Sequence, residues 1–70
     1  MTLQWFVGSN GNWFADHGDK RFCIASDPFP FGGRIYHVAI NGNTKGGSPT
    51  LDGAKRMAVE LAENGGKWAR

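Results

Sequence analysis

The chain is short of staples. Cys23 is its only cysteine, so no intrachain disulfide can form. The lone thiol fits a reducing compartment or an inert buried position. Long hydrophobic runs are missing too: no segment approaches the roughly 20 apolar residues that cross a bilayer as a helix. The apolar run LQWFV lacks the basic segment that precedes a secretory signal core. The expectation is a soluble cytoplasmic protein that makes no membrane contact. One-sided charge is scarce as well. Eight Lys and Arg against six Asp and Glu leave a formal net charge of +2, and the basic residues are scattered, whereas a nucleic-acid binder gathers them on one face.

Glycine and aromatic residues are abundant: eleven Gly, five Phe, three Trp and one Tyr in 70 residues. A chain of this length makes one domain near the lower limit for a self-sufficient core. At roughly 150 Å² or more per buried ring, the aromatics can supply what length does not. The domain is expected over residues 1–66, with 67–70 as a mobile tail from which Trp68 could fold back.

The dipeptide Asn10-Gly11 lies between two aromatic-rich runs and reads as a hairpin turn with positive φ at both residues. It would join strands at 2–7 and 12–16. The polar turn HGDK then leads to a third strand at 21–26. RIYHVAI, residues 34–40, has the strongest β-branched and aromatic content, and Asn41-Gly42 ends it. NTKGG is either a short returning edge or a turn. From Ser48 the period changes. Ser48 reads as an N-cap and Pro49 as a first-turn residue. Leu51, Ala54, Met57, Ala58, Leu61 and Ala62 share one helical arc, opposite Asp52, Arg56, Glu60 and Glu63. Asn64-Gly65-Gly66 tolerates a left-handed cap. The fold class is therefore α+β, an antiparallel meander of three to four strands with one C-terminal helix on one sheet face.

Alternation assigns Trp5, Trp13, Phe22, Ile24, Tyr36, Val38 and Ile40 to the face under the helix. Phe6, Phe14, Cys23, Ile35 and His37 fall on the reverse face, which is too apolar for a plain solvated surface. DPFPFGG, residues 27–33, reads as an unpaired loop because of its prolines and glycines. Phe29 and Phe31 then have two possible roles. They fold back over Phe6, Phe14 and Ile35 as a lid, which the scarcity of buried area favours, or they are held out for a partner. A back-to-back homodimer would satisfy both readings.

Catalytic chemistry finds little support. Cys23 with His17 or His37 would be a nucleophile and base, yet Cys23 lies mid-strand in an apolar run. His17, Asp19, Cys23 and His37 lack a recognised metal-ligand spacing. The glycines of GSNGNW and GGRIYH do not form a phosphate cradle opening a helix, and KGGS before the helix is better explained as a cap than as an anion site with Lys45. The expectation is a protein with neither enzymatic activity nor cofactor.

Two resemblances extend this reading. HVAINGNTKGGS followed by GAKRMAVELA is similar to the second half of a double-stranded-RNA-binding domain, over residues 34–62. In that family a glycine-rich turn leads to a helix whose first turn presents lysines to phosphates. Here Pro49, Thr50 and Asp52 occupy the turn, and Lys55 and Arg56 stand one turn deeper. The resemblance implies a nucleic-acid-binding module using Lys45, Lys55 and Arg56, with Lys20, Arg21 and Arg34 at the sheet edge. Over the whole chain, the pattern of GNW, RF, IYHVAINGN and SPTLDGAKRMA looks like the small orphan proteins of phages and mobile elements, of which anti-CRISPR proteins are the best-known class. It implies a small inhibitor that occupies a host protein or a defence nucleoprotein complex. Its contact residues would be Phe29 and Phe31, with Phe6, Phe14 and His37 beside them.

Overall fold

The computed structural model describes residues 2–67. Trp68 and the rest of the expected tail after Lys67 lie outside the described residues. Five strands and one helix follow in order: β1 (Phe6–Val7), β2 (Trp13–His17), β3 (Lys20–Pro28), β4 (Arg34–Ile40), β5 (Asn43–Ser48) and α1 (Leu51–Glu63). The strands form one antiparallel sheet in chain order, the α+β meander with a C-terminal helix that the sequence pattern indicates. NTKGG is a paired strand, which brings the sheet to five. The 2–7 segment is mostly not a strand. Only Phe6 and Val7 pair, while Leu3 is buried in the core and Trp5 packs against it.

The core lies between α1 and the sheet face carrying Ala15, Phe22, Ile24, Val38 and Ile40. Trp13 and Tyr36 pack at its margin, so the alternation assigns the helix-covered face correctly. Ala54, Ala58 and Ala62 are the helix's small buried residues. They let α1 lie close on the sheet, with Leu61 filling the gap. Phe22, Ile24, Leu61 and Val38 are the largest fully buried side chains, each contributing roughly 1.5–3 kcal/mol of burial.

Three local expectations are corrected. First, the strand pairing does not stop at Asp27: Asp27 pairs with Ile35 and Pro28 with Arg34. The Phe29 amide donates to the Gly33 carbonyl at 3.0 Å, so the Pro28 nitrogen, one residue earlier, points to the opposite edge. There β2 has already ended at its Trp13–Ile24 pair, and a missing N–H costs no ladder bond. Secondly, the N-cap is Thr50, whose hydroxyl accepts from the Gly53 amide at 3.0 Å. Ser48 is the buried last residue of β5 and Pro49 precedes the cap. Thirdly, Asn10 does not have positive φ, whereas Gly11 does; the Gly11 amide donates to the Gly8 carbonyl at 3.0 Å. The second Asn-Gly turn is as expected, with φ of 50° at Asn41 and 86° at Gly42.

Candidate functional site

The reverse face of the sheet has no second layer over it among the described residues. Register brings Phe6, Phe14, Cys23, Ala39 and Thr44 into one row across all five strands. Ala25, His37 and Gly47 form the next row, and Asp27 and Ile35 the one beyond. Phe6 and Phe14 stack with ring centroids 5.9 Å apart. Phe6 remains 46% exposed, while Phe14, Cys23, Ala25, Ile35 and Ala39 are half-buried.

Charge on this face is paired locally. Arg21 donates to both carboxylate oxygens of Asp16, at 2.7 and 3.0 Å, and its guanidinium lies 5.7 Å from the Phe6 ring centroid. That hydrogen bond holds the Asp16 carboxyl below its ordinary range, against desolvation and with help from the Arg21 charge, and raises the Arg21 pKa. At the other end of the face, His37 Nε2 lies 3.3 Å from Asp27 Oδ2.

Phe29 and Phe31 form a separate patch at the β3–β4 hairpin tip. The Gly32 amide closes the tip on the Phe29 carbonyl at 3.1 Å. Phe31 is 100% exposed and Phe29 45% exposed, so the folded-back lid and the second core beneath it do not form. The lid loses because β3 and β4 stay paired as far as Pro28 and Arg34, leaving too short a tip to reach back. Phe29 lies six positions along the chain from Cys23, just past the end of β3, about 20 Å along a strand. Phe6 and Phe14 are thus not brought together with Phe29 and Phe31. His37 stands between the two groups.

The basic residues are dispersed. Arg21 is on the open face and Lys20 on the other. Lys20 contacts Asp19 at 3.2 Å, and that hydrogen bond lowers the Asp19 pKa. Arg34 donates to the Ser26 hydroxyl near the hairpin. Lys45 is the extra residue where the β4–β5 register shifts between Val38 and Ala39, a charge on a bulge that guards an edge strand. The Lys55 ammonium lies 4.5 Å from the Trp13 ring centroid. Arg56 lines a shallow cleft of about 460 Å³ with Thr2, Leu3, Trp5 and Val59, next to Glu60 and Glu63.

His17 and Cys23 lie on opposite faces of the sheet. His37 is a diagonal neighbour of Cys23 through the Ala25 and Ala39 pairings, and burial raises the thiol pKa, the opposite of what activates a nucleophile. Among the described residues no three His, Cys, Asp or Glu side chains gather as a metal site requires. Among the described residues no helix is long and apolar enough to cross a membrane. Compared with protein-family models, curated proteins and solved structures, the chain matches none.

Proposed function

We propose that this chain is a non-enzymatic binding protein that acts by protein–protein contact through the β3–β4 hairpin tip. The observation that carries the reading is Phe31, fully exposed beside a half-exposed Phe29. A chain this short gains most by burying its aromatics. Two rings held out at the end of a paired hairpin are the anchors from which interfaces draw their energy, commonly about 2 kcal/mol or more each on truncation. The target class comes from the resemblance to phage orphan proteins: a host defence nucleoprotein complex, blocked in the manner of an anti-CRISPR protein. The nucleic-acid alternative draws less support, because Arg21, Lys20 and Lys55 are engaged with Asp16, Asp19 and Trp13 and the cations are divided between both sheet faces, the β4–β5 bulge and α1.

The test uses a bacterial host whose CRISPR interference clears a matched phage. Expressing the wild-type chain is expected to restore plaques, and the Phe29→Ala/Phe31→Ala chain is not. A wild-type chain that leaves interference intact removes the inhibitor reading, and equal activity of the double variant removes the hairpin tip as the site. A pull-down with and without nuclease separates the alternative, since capture through nucleic acid is lost with nuclease and weakens steeply with salt.

A further inference from the structure

We propose that the open sheet face is a self-association surface, on which a second copy of this chain packs back to back about a two-fold axis parallel to the strands. This goes beyond the hairpin reading and does not rest on it.

Three features of the face select a second copy as the occupant. The first is flatness. A Cβ at Gly8 would stand 2.5 Å from the Phe14 ring, and one at Gly47 would stand 3.3 Å from the Ile35 side chain. Glycine at these two positions lets Phe14 and Ile35 lie over backbone, so the large side chains lie low. A flat pleated surface with Cys23, Ala25 and Ala39 in its middle accepts another flat sheet at the usual spacing of about 10 Å.

The second is a gradient of size across the strands. The row Phe6, Phe14, Cys23, Ala39, Thr44 falls from aromatic to small. A two-fold axis along the strands, between β3 and β4, reverses this order in the second copy. Phe14 of one copy then faces the Thr44 and Gly47 side of the other, and Cys23 faces Ala39. Phe14 meets small residues in both halves of this isologous contact, and Phe6, on β1, lies beyond the overlap.

The third is charge. Asp16 is paired with Arg21 within the same copy, and Asp27 lies at the hairpin end of the face, 3.3 Å from His37 Nε2. The row through Cys23 that a second sheet would cover carries no charge, whereas a nucleic acid would meet two carboxylates. Because the axis runs along the strands, both hairpin tips leave the same end of the dimer, giving two Phe31 anchors side by side and a gain from avidity.

The test is sedimentation velocity across a concentration series, read together with maleimide labelling of Cys23, the chain's only thiol. The wild-type chain is expected to move from its 7.6 kDa mass to twice that mass, with Cys23 labelling slowing in step as the face closes. Ala39→Lys and Ala25→Lys each place a long cation in the middle of the face and are expected to weaken the dimer about tenfold or more. Circular dichroism identifies the variant that keeps the fold, and labelling of the wild-type chain reads the face without any substitution. A mass of 7.6 kDa throughout overturns the proposal. So does a dimer in which Cys23 labels at the monomer rate, since the contact then lies elsewhere. The Phe29→Ala/Phe31→Ala chain is expected to dimerise like wild type, so failure here and failure of the hairpin reading are separate results.

Discussion

The Lys55 ammonium rests 4.5 Å from the centroid of the Trp13 ring and so ties the middle of α1 to β2. Lys55, which the sequence offers as a phosphate ligand, is in contact with the sheet layer through this ring. Lys55→Ala is expected to destabilise the fold by about 0.5–1 kcal/mol, the range of exposed cation–π contacts. Lys55→Arg is expected to retain most of that stability. Urea unfolding followed by tryptophan fluorescence reads both. An unchanged midpoint for Lys55→Ala would rule out a stabilising contact.

Phe22 and Phe31 make a controlled pair. Phe22 is fully buried and Phe31 fully exposed, so the same truncation has opposite meanings. Phe22→Ala is expected to cost about 3–5 kcal/mol, enough to unfold much of a marginal domain. Phe31→Ala is expected to stay within about 0.5 kcal/mol of wild type. Thermal melts of the two variants check this, and a destabilised Phe31→Ala chain would mean that the ring is packed.

Much of the architecture is legible from alternation alone. Tyr36, Val38 and Ile40 separate from Ile35, His37 and Ala39 because a strand has a period of two, and α1 follows from the apolar arc through Ala54, Ala58 and Leu61. What escapes the sequence depends on neighbours. Pro28 reads as a breaker until it is known that β2 ends before reaching it. Ser48 reads as a cap because nothing local reveals that β5 runs into it, moving the cap to Thr50. Nothing local reveals that Lys45 stands on a bulge, where the β4–β5 register shifts between Val38 and Ala39. The candidate site divides in the same way. Its residue types are visible, but their separation into a sheet-face patch and a hairpin-tip patch depends on how far β3 and β4 stay paired.

Gly53 is an instance where local propensity and tertiary contact disagree. It occupies the first turn of α1, where alanine would favour the helix by about 1 kcal/mol. A Cβ there, however, would run into the Ser48 hydroxyl and stand 2.9 Å from the Thr50 hydroxyl, the oxygen that caps the helix. Gly53→Ala is therefore expected to destabilise by about 1–3 kcal/mol through overpacking. A stabilised Gly53→Ala chain in denaturant unfolding would show that the β5–α1 junction yields without cost.

Acid stability has a sign set by the carboxylates. Asp16 is lowered from an ordinary pKa of 3.8 by its hydrogen bond from Arg21, and Asp19 by its hydrogen bond from Lys20. A depressed folded-state pKa contributes stability above the unfolded value that is lost as pH falls through the folded one. The loss is thus expected below about pH 4. It should be small, because both pairs are exposed and screened by salt. Asp16→Asn is expected to flatten that part of the stability–pH curve and leave neutral pH nearly unchanged. An acid limb identical to wild type would mean that the Asp16–Arg21 pair contributes nothing in solution.

Asn41 combines two functions in one turn, and substitution can separate them. Its backbone sits at a φ of 50°, which costs most side chains roughly 1–2 kcal/mol. Its side-chain oxygen accepts from the Arg21 amide at 2.9 Å, while its own amide donates to the Arg21 carbonyl at 2.9 Å. The side chain thus adds one hydrogen bond to the β3–β4 ladder beyond the Phe22–Ile40 pair. Asn41→Asp keeps the acceptor and tolerates the conformation. Asn41→Gly keeps only the conformation, and Asn41→Ala keeps neither. The expected order of stability is wild type, Asp, Gly, Ala, with each of the last two steps about 1 kcal/mol. If Gly matches wild type, the Arg21 contact is idle; if Ala matches Gly, the left-handed turn is not what Asn41 is there to supply.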